Sequence, residues 1–209
     1  MSEIKRGKFI VVEGLDGSGK TTQVQLLKEK MEELHGETML FKNVSDGRIG
    51  KTIRSVLDPQ NQLYVNNLQM ACLFIAELYV VANKINAYLD HGVNVICDRW
   101  TYSTLAYAGY TDADRELIRG MYSKLLAPDI VIYLDVDPKT SIGRINARGE
   151  AKELYEDVGK LAAIGNRYTV NVFLDTSNLI VIDKDMNAGK KPQDICDYTM
   201  YRVQEIFKA

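Results

Sequence analysis

Eight positions near the start of the chain, Gly14-x-x-x-x-Gly19-Lys20-Thr21, constrain its fold more than any other feature. They lie inside residues 13–22 (EGLDGSGKTT), and their flanks fit. Residues 9–12 (FIVV) are apolar and β-branched, which reads as a buried strand. From Thr22 to Leu34 the apolar residues Val24, Leu27, Met31 and Leu34 share one helical stripe. A strand, a glycine-rich turn and a helix in that order are what a phosphate-binding loop requires.

The loop works through backbone chemistry. Glycines allow conformations closed to other residues and let the main chain approach a phosphate. Successive N–H groups point inward as an anion nest, and the helix that begins there adds unpaired N–H groups and a positive dipole end. Gly14, Leu15, Asp16, Gly17, Ser18, Gly19, Lys20, Thr21 and Thr22 are therefore the expected nucleotide-phosphate-binding residues. Lys20 is placed for the β- and γ-phosphates and the Thr21 hydroxyl for Mg²⁺.

Strands and helices alternate along the remaining chain. Strand patterns fall at 38–41, 93–97, 130–134 and 179–182. Helical patterns fall near 53–57, over 63–89 with Gly92 as its stop, at 103–108, at 112–126, from Pro138, on to about 173, and as one final helix. This alternation predicts a three-layer α/β/α fold around a five-stranded parallel sheet, with ligands beyond the carboxyl ends of the strands. Residues 1–209 read as a single domain.

Composition narrows the classes. A net charge of −2 argues against a nucleic-acid binder built on a basic face. Cys72, Cys97 and Cys196 are too dispersed for a ligand pair and read as thiols in a reducing, cytoplasmic compartment. The stretch 71–82 is short for a membrane span and contains Glu77, and residues 1–8 lead straight into the first strand with no signal pattern. A guanine-reading box is absent: Asn83-Lys-Ile-Asn86 lacks its aspartate and lies in the long helical pattern.

A second cluster, Asp98-Arg99-Trp100, ends a buried strand on the same rim. Asp98 either faces a metal and its waters or caps the next helix. Arg99 either clamps a phosphate through its planar guanidinium or pairs with an acid.

With these residues in place, the chain resembles the thymidylate kinase family of P-loop nucleoside monophosphate kinases. The resemblance rests on residues 13–22, on Asp98-Arg99 followed by Ser103 and Tyr107, on residues 128–135 (PDIVIYLD), and on Arg144-x-x-x-Arg148-Gly149-Glu150. It implies phosphoryl transfer from ATP to dTMP, with Asp16 near the acceptor sugar and the metal, and Arg99 on the acceptor phosphate. It also implies Phe74 stacked on thymine and Tyr107 against the deoxyribose, with Ser103 beside them. Phe74 and Tyr107 read equally as core aromatics. Residues 144–157 resemble the family's lid, with Arg148 or else Lys152 as the catalytic cation, because Gly17 leaves the loop without one, and with Arg144 nearer the adenine. A solvated charged helix has the same composition. A homodimer packed through helices is implied as well.

Two departures matter. Ser45 stands where the family has an arginine for the acceptor phosphate, and Arg48 is the nearest replacement. Leu78 stands where an arginine reads the base, which removes a polar contact and weakens the expectation of thymine selectivity. A kinase for another deoxynucleotide or nucleoside, or a nucleotide-binding module without activity, therefore stays open. Trp100 replaces a tyrosine or histidine, aromatic for aromatic.

Overall fold

A computed structural model describes residues 5–61, 64–147, 155–176 and 178–208, with the side chains of 172–175 excepted. Five strands, β1 (Phe9–Gly14), β2 (Thr38–Lys42), β3 (Asn94–Asp98), β4 (Ile130–Leu134) and β5 (Leu179–Ile182), form one sheet in the order β2-β3-β1-β4-β5. Every pairing is parallel. β1, β3 and β4 are buried at every position, as central strands covered on both faces must be.

Alternation along β1 shows the layers. Ile10 and Val12 face Val24, Leu27 and Met31 of α1 (Lys20–His35) and Cys196, Met200 and Val203 of α9 (Pro192–Lys208). Phe9 and Val11 face Leu78, Val81, Ile85 and Leu89 of α3 (Asn67–Asp90). α2 (Arg48–Leu57), α4 (Thr101–Ala108) and α7 (Val158–Asp175) complete that second layer. α5 (Asp112–Tyr122), α6 (Pro138–Ala147) and α8 (Lys184–Gly189) make up the remaining helices of the described chain.

Several boundaries differ from the pattern reading for local reasons. α3 starts at Asn67 because Asn66 and Gln69 close a reciprocal capping box in front of it. Its end is as expected: the N–H of Gly92 donates to Leu89 and that of Val93 to Tyr88, a Schellman closure with Gly92 at φ 79°. The expected final helix is two, since Gly189 and Pro192 separate α8 from α9. α5 stops at Tyr122, short of the expected Leu126.

α3 is long and apolar enough, by length and composition, to cross a membrane, but half of that stretch is buried inside the protein. Glu77, a charge in the middle of it, is buried and accepts the Ser45 N–H at 3.1 Å, fastening the segment after β2. Trp100 is fully buried, edge-on to Phe9 with ring centroids 5.2 Å apart, and its Nε1 donates to the Leu126 carbonyl at 3.1 Å.

Candidate active site

Strand register brings the site together. Val12 of β1 lies level with Asp98 of β3, and Gly14 level with Leu134 of β4, so the glycine turn opens between two strand ends. Gly17 has φ 76°, and a Cβ there would meet the Ser141 carbonyl oxygen at 2.6 Å, so only glycine fits. α1 then begins with no side-chain cap, at Gly19, which leaves its first N–H groups available to an anion. Leu15 is buried in the core, while Thr21 and Thr22 are exposed on the first turn of α1.

Lys20 is buried and folds back along the turn, donating from Nζ to the Leu15 carbonyl at 2.7 Å and the Gly14 carbonyl at 3.1 Å. Burial, then the Arg99 charge, lowers its pKa to about 8, against the pull of Asp98, Asp16 and Glu13.

Arg99 ends β3 with φ 74°, a conformation that costs a non-glycine residue about 1–3 kcal/mol. Its side chain turns back over the glycine turn. Nη1 donates to the Tyr168 hydroxyl at 2.9 Å, the Gly14 carbonyl at 3.1 Å and Ser103 Oγ at 3.2 Å. Nη2 donates to Asp16 Oδ1, in an ion pair, and to the Tyr107 hydroxyl at 3.2 Å. Burial disfavours both charges, but the pairing overrides it. Arg99 is held well above its ordinary pKa by Asp16, while Arg99, Lys20 and the Tyr107 hydroxyl hold Asp16 down to about 2.

Two cavities flank the turn. One, of about 160 Å³, is lined by Asp16, Phe74, Arg99, Ser103, Tyr107 and further side chains, which places five of the expected acceptor residues on one wall. Phe74 lines this cavity and also belongs to the core. Tyr107 is buried and donates to Asp16 Oδ2 at 2.7 Å. The second cavity, of about 320 Å³, is lined by Gly17, Ser18, Gly19, Thr22 and Gln23 on one side and Arg144, Asn187 and Lys190 on the other. Arg144 reaches the Asn187 side chain at 3.0 Å and the Gly17 and Ser18 carbonyls at 3.3 and 3.4 Å. Arg148 and Lys152 lie outside the described residues.

Sequence reasoning missed several wall residues. Arg54 of α2 lines the first cavity; Arg48, the expected replacement for the missing arginine, is exposed and does not. Spacing along α2 puts Arg54 nearly two turns further on, where it reaches the Val44 carbonyl. Thr104 lines the same cavity with its hydroxyl buried and unpartnered, and Tyr155 closes it edge-on to Tyr107 at 5.2 Å. Leu78 is not on this wall; it is fully buried among Phe9, Val11 and Trp100. Glu13, read only as the start of the loop motif, is fully buried, and burial pushes its pKa up.

Asp98 does not cap α4: the cap position is Trp100, with no side-chain bond, and Asp98 Oδ1 is buried without a partner. An orphaned carboxylate oxygen beside a phosphate loop suits Mg²⁺ and its waters. Among the described residues no group of three or more histidines, cysteines and carboxylates gathers. Mg²⁺ needs no such group, since it takes one or two protein oxygens plus phosphate and water.

One anion-gripping turn shared by two cavities, with an arginine across from a lysine, is the plan of a P-loop kinase whose acceptor is itself a phosphate. Comparisons with known proteins make this specific. Residues 12–195 match the family model described as Thymidylate kinase. A probable thymidylate kinase of Pyrococcus horikoshii is 39% identical over 152 residues, covering 71% of this chain and 74% of that protein. Thymidylate kinase of Leptospira interrogans serovar copenhageni is 31% identical over 202 residues, covering 96% and 97%. The solved structure of thymidylate kinase from Candida albicans shares the fold, with a TM-score of 0.78 at 24% identity over 97% of this chain and 93% of that one. The chain belongs to the thymidylate kinase family, ATP-dependent enzymes that phosphorylate dTMP.

Proposed function

We propose that this chain transfers the γ-phosphoryl group of ATP to the phosphate of dTMP, giving ADP and dTDP. The observation that carries the reading is the pair of cavities lined from one turn, by Asp16 in the first and by Gly17, Ser18 and Gly19 in the second, with Lys20 and Arg99 both donating to the Gly14 carbonyl of that turn. ATP lies in the Arg144 cavity with its phosphates on the turn and on Lys20. The acceptor lies in the Phe74 cavity, its base against Phe74, its sugar near Asp16 and Tyr107, and its phosphate on Arg99.

An acceptor phosphate oxygen attacks the γ-phosphorus and the bridging oxygen leaves with ADP, so no protein nucleophile is required. The protein supplies alignment and positive charge in a site shielded from water. The Thr21 hydroxyl, with Asp98 toward the ion's waters, would hold Mg²⁺, which would supply positive charge to the phosphates. Residues 144–157 form the lid, and Arg148, or else Lys152, brings the last cation to the transferred group.

The working form is a cytoplasmic homodimer. Leu68, Cys72 and Tyr79 are exposed on α3 at spacings of four and seven residues, a single apolar stripe suited to a second copy. Light scattering on the eluting protein tests the dimer, since a monomer at micromolar concentration contradicts it.

A second reading is that other deoxynucleoside monophosphates are accepted beside dTMP, since the position that carries the family's base-reading arginine is here Leu78, buried off the cavity wall. ADP release measured over a panel of monophosphates and nucleosides with ATP tests both. Turnover highest with dTMP supports the first reading, comparable rates with dUMP or dCMP support the second, and turnover with nucleosides alone sinks both.

A further inference from the structure

We propose that Glu13 is the positioning residue of the acceptor clamp: it touches no substrate, but it sets where the Arg99 guanidinium points. The proposal rests on the reading that Arg99 holds the acceptor phosphate.

Two routes run from Glu13 to Arg99. The first is through the backbone. Arg99 sits in a left-handed conformation at the end of β3. Its own N–H is fixed to the Val12 carbonyl at 3.0 Å, and the next N–H, that of Trp100, donates to Glu13 Oε1 at 2.7 Å. The same oxygen accepts the Ser103 N–H at 3.3 Å. Glu13 thus serves α4 as the cap that its own cap residue, Trp100, does not provide, with a carboxylate at the positive end of the helix. Loss of that grip frees the turn that sends the Arg99 side chain back over residues 14–20.

The second route is through side chains. Ser103 Oγ donates to Glu13 Oε2 at 2.6 Å. The Tyr168 hydroxyl donates to Glu13 Oε2 at 3.0 Å and lies 2.7 Å from Ser103 Oγ. With both protons turned toward Glu13, both oxygens offer lone pairs to Arg99 Nη1, at 3.2 and 2.9 Å. Only an acceptor can hold this polarity. An amide at position 13 puts a donor in place of one carboxylate oxygen. Either backbone N–H groups then face an N–H, or the two hydroxyls turn their protons toward a cation. Glu13 is fully buried, so water does not repair the mismatch.

The test is a double-mutant cycle between Glu13→Gln and Arg99→Lys, read as kcat and KM for dTMP, Kd for ATP without acceptor, and Tm. Glu13→Gln is expected to lower kcat/KM for dTMP about tenfold to a hundredfold, the scale of a misplaced reactant. ATP affinity should stay within about twofold, and the same change made on Arg99→Lys should cost less than about threefold more. Tyr168→Phe, which leaves the Glu13 grip on α4 intact, is expected to lose less in the same direction. Unchanged kcat/KM in Glu13→Gln overturns the proposal, and so does an equal loss of ATP binding or full additivity with Arg99→Lys. If Glu13→Gln does not fold, the Glu13→Asp and Arg99→Lys cycle decides by the same criterion. If the wild type ignores dTMP but phosphorylates another monophosphate, the acceptor assignment alone fails, and the cycle run on that acceptor still reads Glu13.

Discussion

Lys20 Nζ lies 2.7 Å from the carbonyl oxygen of Leu15, so the cation proposed for the triphosphate is hydrogen-bonded to the backbone of its own loop. Its lowered pKa of about 8 has a consequence for binding. The folded protein sheds the proton above pH 8, and a bound triphosphate should restore it. ATP binding should take up little proton below pH 7 and approach one proton between about pH 8 and 10. Calorimetry in buffers of different ionisation enthalpy measures this directly, and zero uptake at pH 9 contradicts it. Without ATP, stability should rise from about pH 8 to 10.5, because the unfolded chain keeps the proton that the folded chain has released.

Asp16 gives the opposite end of the pH scale. Its folded pKa of about 2 lies below the ordinary 3.8, so its contribution is complete above about pH 4 and is lost as pH falls toward 2. With its side chain 29% exposed, that contribution is at most about 2 kcal/mol. The stability difference between wild type and Asp16→Asn, followed by urea unfolding, should therefore shrink across that window. A difference independent of pH is the contrary result.

Arg54 and Arg48 separate cleanly by experiment. Arg54 lines the acceptor cavity and is held by the Val44 carbonyl at 3.2 Å and by Asp46 Oδ1 at 3.0 Å. Arg54→Ala should raise KM for dTMP about tenfold, the loss of one charged hydrogen bond to phosphate. Arg48→Ala, at an exposed position off the cavity wall, should change KM by less than about twofold. Initial rates across a dTMP series check both.

Leu78 belongs to the core. Leu78→Arg should not sharpen base selectivity; it should destabilise the protein by more than about 3 kcal/mol, because a guanidinium would replace a methyl group among Phe9, Val11 and Trp100. Thermal unfolding and the monophosphate panel test this, and a stable variant newly selective for dTMP would contradict it.

What the sequence made legible was local. The turn at 14–21, the parallel sheet and the Asp98-Arg99 strand end follow from short-range pattern, and the structure has them where spacing put them. The rest depends on contacts that no window holds. Tyr168 meets Glu13 across 155 residues, and Ser103 meets it across 90. A glutamate at the head of a phosphate loop gives no sign that it caps a helix from another strand. Arg48 was nearest in sequence to the missing arginine, but the turn of α2 puts Arg54 on the wall instead. The left-handed φ of Arg99 is imposed by its neighbours, so its own identity does not reveal it.

The most direct measurement is ³¹P NMR of the purified chain with ATP, Mg²⁺ and dTMP, run beside Lys20→Ala. The account predicts dTDP and ADP resonances growing together in equal amounts, with turnover cut about a hundredfold or more in the variant. Inorganic phosphate in place of dTDP, or an equal rate in Lys20→Ala, would contradict it.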